Sequence, residues 1–206
     1  MAFNPLIHNR RYMRLRGWDY SSPGCYFVTI CVKNKECFLD DIVGGKVVLN
    51  EYGKIVESRW LWLKNQYRYV ELDAFVVMPN HVHGMVRLNR NSAVTGRDLS
   101  LPTRPTLPSL PTLPTLPTIT PTIMKIKSLS DIIGAFKTTS FKDIHLAGFP
   151  NFFWQRSFYE RIIRSEGEAS KIQQYIRNNP ANWDCDDENP GKRIGRDRSR
   201  PVPTGE

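Results

Sequence analysis

Cysteines and long apolar runs are scarce in this chain of 206 residues, and each scarcity removes a class of protein. The four cysteines, Cys25, Cys31, Cys37 and Cys185, form no C-x-x-C pair, which argues against a zinc knuckle or a redox motif. The opening Met1-Ala2-Phe3-Asn4-Pro5 has no basic segment followed by an apolar one. No secretory signal is therefore expected, and the thiols read as reduced and buried in a cytoplasmic protein. No apolar run approaches the ~20 residues that span a bilayer, and no lysine-rich amphipathic stretch suggests a membrane surface. There is no P-loop, so ATP-driven chemistry is not expected. Acidic residues are also in deficit: 20 Asp and Glu against 29 Lys and Arg leave a net charge of +9. An excess of that size favours a polyanion, nucleic acid first.

What is present is enough for a real core. A chain that is 40% apolar and 11% aromatic reads as one domain with appended segments. Residues 1–24 form a basic N-terminal arm that includes Arg10, Arg11, Arg14 and Arg16. Cys25 to Val32 is β-branched and aromatic after the turn Ser22-Pro23-Gly24, and Lys46 to Leu49 follows Gly44-Gly45; both read as strands. From Tyr52, apolar residues at Ile55, Val56, Trp60, Leu63 and Tyr67 have helical spacing. Tyr69 to Met78 and His81 to Leu88 read as an antiparallel pair joined at Pro79-Asn80.

Prolines at 102, 105, 108, 111, 114 and 117 then recur at every third position, the period of polyproline II. That conformer neither joins a sheet nor continues a helix, so 100–124 is read as a proline- and threonine-rich insertion. Ser128-Leu129-Ser130-Asp131 resembles a capping box and opens a helix with Leu129, Ile132, Ile133 and Phe136 on one stripe. A strand is expected around Asn151 to Arg156. A last helix is expected from Ser165-Glu166-Gly167-Glu168 to Pro180. The main domain spans 25–183, and 184–206, polar and rich in Gly and Pro, is expected to be a disordered tail. The pattern is α+β: a mostly antiparallel central sheet with about three helices packed on it.

Two of the four histidines, His81 and His83, occupy alternate positions in one strand. A strand points alternate side chains to the same face, so the two imidazoles aim together. Burying their nitrogens without partners would be costly, and one metal ion would satisfy both. The short H-x-H pattern leaves a structural role equally open. It also falls short of the three protein ligands of a usual catalytic site. On the last helix, Ala169, Ile172 and Ile176 form the apolar stripe, with Tyr175 and Asn179 four residues apart at its edge. A core tyrosine and a helix-terminal asparagine are the plain alternatives. Pro180 also disfavours helical backbone at Asn179.

Six ordered motifs carry a resemblance. They are Arg14-Leu15-Arg16-Gly17-Trp18-Asp19-Tyr20 with Ser22 to Thr29, Phe75 to Gly84, Ile132 to Lys137, Phe153 to Arg156, Tyr159 to Arg164, and Tyr175 to Pro180. Together they resemble the single-tyrosine HUH transposases, in the branch associated with repetitive extragenic palindromes (REP). The resemblance runs from about Arg10 to Pro190, interrupted by the proline repeat. It implies a ferredoxin-like HUH fold, His81 and His83 as metal ligands flanking apolar Val82, Tyr175 as nucleophile, and Asn179 in the third ligand place. It further implies metal-dependent cleavage and rejoining of single-stranded or hairpin DNA through a 5′-phosphotyrosine.

Imidazoles suit manganese or zinc by intrinsic preference, whereas the resemblance points to Mg2+ or Mn2+. Lys137, Arg156, Arg161 and Arg164 are the candidate phosphate contacts, and Trp154 and Tyr159 the candidate base-stacking residues. The family includes monomers and homodimers with the tyrosine supplied across the interface, so the sequence leaves both assemblies open. Two other functions remain at this point. One is a hairpin DNA-binding protein that does not cleave. The other is a nicking endonuclease of plasmid replication or transfer, whose helicase domain a chain of this length has no room to hold.

Overall fold

The computed structural model describes residues 15, 17–89 and 126–191. Most of the basic arm, the proline-rich insertion and positions 192–206 lie outside the described residues. Among the described residues, the element order is β1 (Gly24–Cys31), β2 (Asp40–Val43), β3 (Lys46–Leu49), α1 (Glu51–Gln66), β4 (Val70–Met78), β5 (His81–Leu88), α2 (Leu129–Leu146), β6 (Tyr159–Ile163) and α3 (Glu166–Asn178). Strands β4-β5-β1-β6 form one sheet in that order, with every pairing antiparallel. The α+β architecture read from the sequence is therefore the observed one.

Strand parity divides the sheet into two unlike faces. Tyr26, Val28 and Ile30 of β1 and Val82 and Val86 of β5 join Val56, Trp60 and Leu63 of α1 and Ile132, Ile133 and Phe136 of α2 in the main core. The opposite face is thinner: Cys25, Phe27 and Met85 pack with Ala169, Ile172 and Ile176 of α3. His81 and His83 belong to this second face. The register pairs Thr29 with His83 and Cys31 with His81. Between the histidines and Met85, Gly84 turns toward α1. A Cβ there would lie 2.2 Å from Trp60 Cζ2, so only hydrogen lets the fully buried indole close on the sheet.

Local chemistry sets the helix starts. Asn50 accepts from Gly53 N ahead of α1, Ser128 and Asp131 form the full capping box of α2, and Ser165 accepts from Glu168 N ahead of α3. The β2–β3 hairpin turns on Gly44 and Gly45, with φ of +58° and +73°, the left-handed pair that a two-residue hairpin needs.

Three expectations need correction. The strand expected around Asn151 to Arg156 is a single bridge, Val32 to Trp154, and the pairing strand is β6. Phe152 and Trp154 spend their apolar surface in the core, and the Trp154 indole donates to Ser140 Oγ at 3.0 Å. The disordered tail expected from Asp184 is instead folded as far as Gly191, where 180–185 form a 3-10 turn and Asn80 Nδ2 donates to Glu188 O at 2.7 Å. The thiols are free, but only Cys25 is buried; Cys37 and Cys185 are exposed. No helix among the described residues is long and apolar enough to cross a membrane.

Two stability outcomes follow. Gly84→Ala forces a methyl into Trp60, and overpacking of this kind costs roughly 1–3 kcal/mol, readable as a lower urea midpoint. Asp40 is buried, and neither carboxylate oxygen has a hydrogen-bond partner among the described residues. Burial, reinforced by the charge of Asp41, raises its pKa from an ordinary 3.8 to about 8. The folded state thus keeps a proton that the unfolded chain releases, and this contribution to stability falls as pH rises from about 4 to about 8. In Asp40→Asn, urea midpoints measured across that window should lose this slope.

Candidate active site

The first histidine is aimed by its neighbour. Asn80 donates from Nδ2 to Lys35 O at 2.9 Å and to Glu188 O at 2.7 Å. Both acceptors are carbonyls, so its Oδ1 must face His81 Nδ1, 2.9 Å away. An amide oxygen only accepts, so His81 Nδ1 carries the proton and Nε2 holds a lone pair. That Nε2 is buried with no hydrogen-bond partner among the described residues.

His83 meets a hydroxyl at each ring nitrogen, and a hydroxyl either donates or accepts. Its Nδ1 lies 2.9 Å from Thr29 Oγ1, across the β1–β5 pairing. Its Nε2 lies 3.3 Å from the Tyr175 hydroxyl, and the Phe27 ring stacks on it at 5.3 Å. Burial, and then the charge of Lys35, lowers the His81 pKa to about 3. Burial, and then His81 itself, holds His83 well below its ordinary value. Both rings are neutral near pH 7 and present lone pairs, as metal ligands must.

Helix α3 and the chain after it complete the cluster. Tyr175 is about half exposed (48%), and its ring meets Phe27 edge-on at 6.0 Å. Asn179 keeps helical backbone, φ −57° and ψ −44°, despite the following proline. The turn that begins at Pro180 continues the right-handed path and returns Asn182 N to Asn179 O at 3.0 Å. The Asn179 side chain is buried and donates to Asp186 Oδ2 at 3.1 Å, while its Oδ1 has no partner among the described residues.

A carboxylate oxygen of Asp186 and one nitrogen of each histidine all lie within 4.8 Å of one another. Beside that cluster Asn179, bonded to Asp186, keeps a buried Oδ1 unpartnered among the described residues, as His81 keeps its Nε2. A divalent cation would satisfy such orphaned atoms. Asp186 is a group the sequence reading missed, because it fell in the supposed tail. Its one signal was four acids in the five residues 184–188 of a chain with net charge +9.

The same acids act on the tyrosine. Burial, with Asp186 and Asp187 next and Glu188 smaller, raises the Tyr175 pKa to about 12, and the Asn179 side chain pulls it the other way. The phenol is therefore protonated at neutral pH. Cationic charge at the His81–His83–Asp186 cluster would oppose that effect.

The expected DNA contacts fare unequally. Trp154 is only 9% exposed and its indole N–H is engaged, so it offers no face to a base. Lys137 Nζ donates to the carbonyls of Gln155 and Arg156. Arg161 is paired with Glu168 at 2.7 Å. Arg156 and Arg164 are exposed, and Tyr159 is partly exposed beside Phe27.

This topology defines a class. The chain superposes with a TM-score of 0.50 on a solved structure described as a REP-associated tyrosine transposase bound to a REP hairpin, at 17% identity over 82% of this chain and 73% of that one; the fold is transposase-like. In sequence it is similar to an uncharacterized protein of Haemophilus influenzae, 36% identical over 184 residues that cover 89% of this chain and 95% of that protein. The chain belongs to the family of that Haemophilus protein. No protein-family profile matches it.

Calorimetric titration with Mn2+ should give one ion per chain. Asp186→Ala should weaken binding at least tenfold, and Asn80→Ala, which frees the His81 ring, by about 10–100-fold.

Proposed function

We propose that this chain is a metal-dependent DNA transposase of the REP-associated type, which cleaves and rejoins single-stranded or hairpin DNA in the cytoplasm. The observation that carries this reading is the Tyr175 hydroxyl standing 3.3 Å from His83 Nε2, at the edge of the His81–His83–Asp186 cluster. Tyrosine and histidines meet within one chain. The fold relative's hairpin makes hairpin DNA the first substrate to test.

His81, His83 and Asp186, with Asn179, would hold Mg2+ or Mn2+. When bound, such a cation supplies charge neutralisation at a phosphate oxygen and a counter-charge to the acids around Tyr175. The residues of the chain do the rest. Asn80 and Thr29 fix the two imidazoles, and Phe27 packs against both His83 and Tyr175, so that the hydroxyl keeps its place. Tyr175 Oη bonds to phosphorus, the bond to the 3′-oxygen breaks, and the phenolic proton is ultimately transferred to the departing oxygen. The products are a 5′-phosphotyrosine and a 3′-hydroxyl. One phosphodiester replaces another, so the reverse attack rejoins DNA without ATP. Exposed Arg156 and Arg164 and the excess of basic residues would hold the backbone.

Incubation of the protein with labelled hairpin oligonucleotides and Mn2+, followed by a denaturing gel, tests the proposal. Wild type should form a covalent adduct, and Tyr175→Phe should reduce it by at least a thousandfold. An undiminished adduct in Tyr175→Phe would assign the chemistry elsewhere. Hairpin binding with no adduct under Mg2+ or Mn2+ would leave a DNA-binding protein that does not cleave.

A further inference from the structure

On the far side of the loop that supports Asn80 lies a second feature, separate from the His81–His83–Asp186 cluster. After β1 the chain makes a tight turn, Lys33–Lys35. Asn34 and Lys35 both adopt left-handed backbone, φ 59° and 58°, which asparagine tolerates and which is strained for lysine. On one side of this turn, Lys35 O accepts from Asn80. On the other, Lys33 N donates to Phe153 O at 2.8 Å. Lys33 Nζ stands over the Phe153 ring, 5.2 Å from its centroid.

Phe153 is 43% exposed, although its neighbours Phe152 and Trp154 are buried. Its ring is braced by Phe141 at 5.6 Å and His145 at 5.7 Å. Main-chain bonds on both sides fix its backbone: Phe152 N donates to Phe149 O at 3.3 Å, and Gln155 N donates to Cys31 O at 2.8 Å in the Val32–Trp154 bridge. In front of it is a cavity of about 240 Å³ lined by Lys33, Asn34, Glu36, Asn151 and Phe153, among others. That is below the roughly 300 Å³ at which drug-sized pockets begin, and it suits a fragment such as one ring system.

We propose that this cavity is a subsite for one unpaired nucleobase of single-stranded DNA, stacked on Phe153 with its phosphate beside Lys33. A braced, half-exposed ring offers the sequence-tolerant stacking face that unpaired bases use, once Lys33 Nζ, which stands over it, turns to the phosphate. Lys33 supplies the complementary charge. Asn34, Glu36 and Asn151 set donors and acceptors at the rim, of the kind that meet base edges. The Lys33–Lys35 turn that lines the cavity also supports Asn80, so the cavity and the histidine cluster are joined through one loop. The inference rests on the DNA reading above and adds where the unpaired strand sits.

Fluorescence anisotropy with the full chain tests it without added metal, in EDTA, so that cleavage plays no part. The probes are fluorescein-labelled single-stranded dT, dC and dA dodecamers and one duplex dodecamer. Phe153→Ala should weaken single-strand binding by about 5- to 100-fold and leave duplex binding unchanged. Phe153→Trp should retain single-strand affinity. Lys33→Ala should reduce the slope of log affinity against log salt by about 0.7. Wild-type binding with unchanged affinity in Phe153→Ala overturns the subsite alone. No single-strand or duplex binding by wild type overturns the DNA reading along with it.

Discussion

The pairing of β5 with β1 is the constraint on which everything else depends. Side chains alternate along a strand, so a slip of one residue would carry His81 and His83 into the main core. It would also bring Val82 and Val86 out onto the α3 face. The register is held from both sides of the sheet. Gly84 leaves room for Trp60 on one face, and Thr29 meets His83 Nδ1 on the other. A packing requirement and a polar contact thus specify the same alignment, and that agreement places two lone pairs at one point.

Around that point the chain accumulates acids, which is unusual for a protein with so many basic residues. Asp186 is carried to the histidines by the turn after α3 and is oriented by Asn179. Lys35 ties the segment down, pairing with Glu188 at 3.2 Å and donating to Asp187 O at 3.0 Å. These acids hold the Tyr175 phenol in its protonated form. On the proposed reading, a cation held by Asp186 and the histidines would offset their repulsion of a phosphate, so the reactivity of Tyr175 would depend on the ion.

Much of the fold is written in local periodicity, and those parts were legible. The helix stripes of α1 and α2, the Ser165 start of α3 and the β4–β5 hairpin follow from apolar spacing and caps. The shared face of His81 and His83 follows from strand parity alone. What was not legible depends on tertiary partners. The segment Phe152 to Arg156 has the composition of a strand, but its rings are consumed by the α2 side of the core, so it makes one bridge only. Trp154 has the side chain of a stacking residue, but its indole is buried against Ser140. Phe153, one residue earlier, is the exposed ring. Asp186 lay in a stretch whose composition reads as disorder, and only the return of Asn80 and Asn179 to it gives that stretch a fixed path.

The central claim is that the histidines, Asp186 and Tyr175 form one cation-assisted site. The most direct test is a crystal structure of the chain with Mn2+, located by its anomalous scattering. One peak is expected between His81 Nε2, His83 Nε2 and the Asp186 carboxylate, with the Tyr175 hydroxyl beside it. Well-ordered histidines with no peak between them, or manganese bound only at surface carboxylates elsewhere, would contradict it.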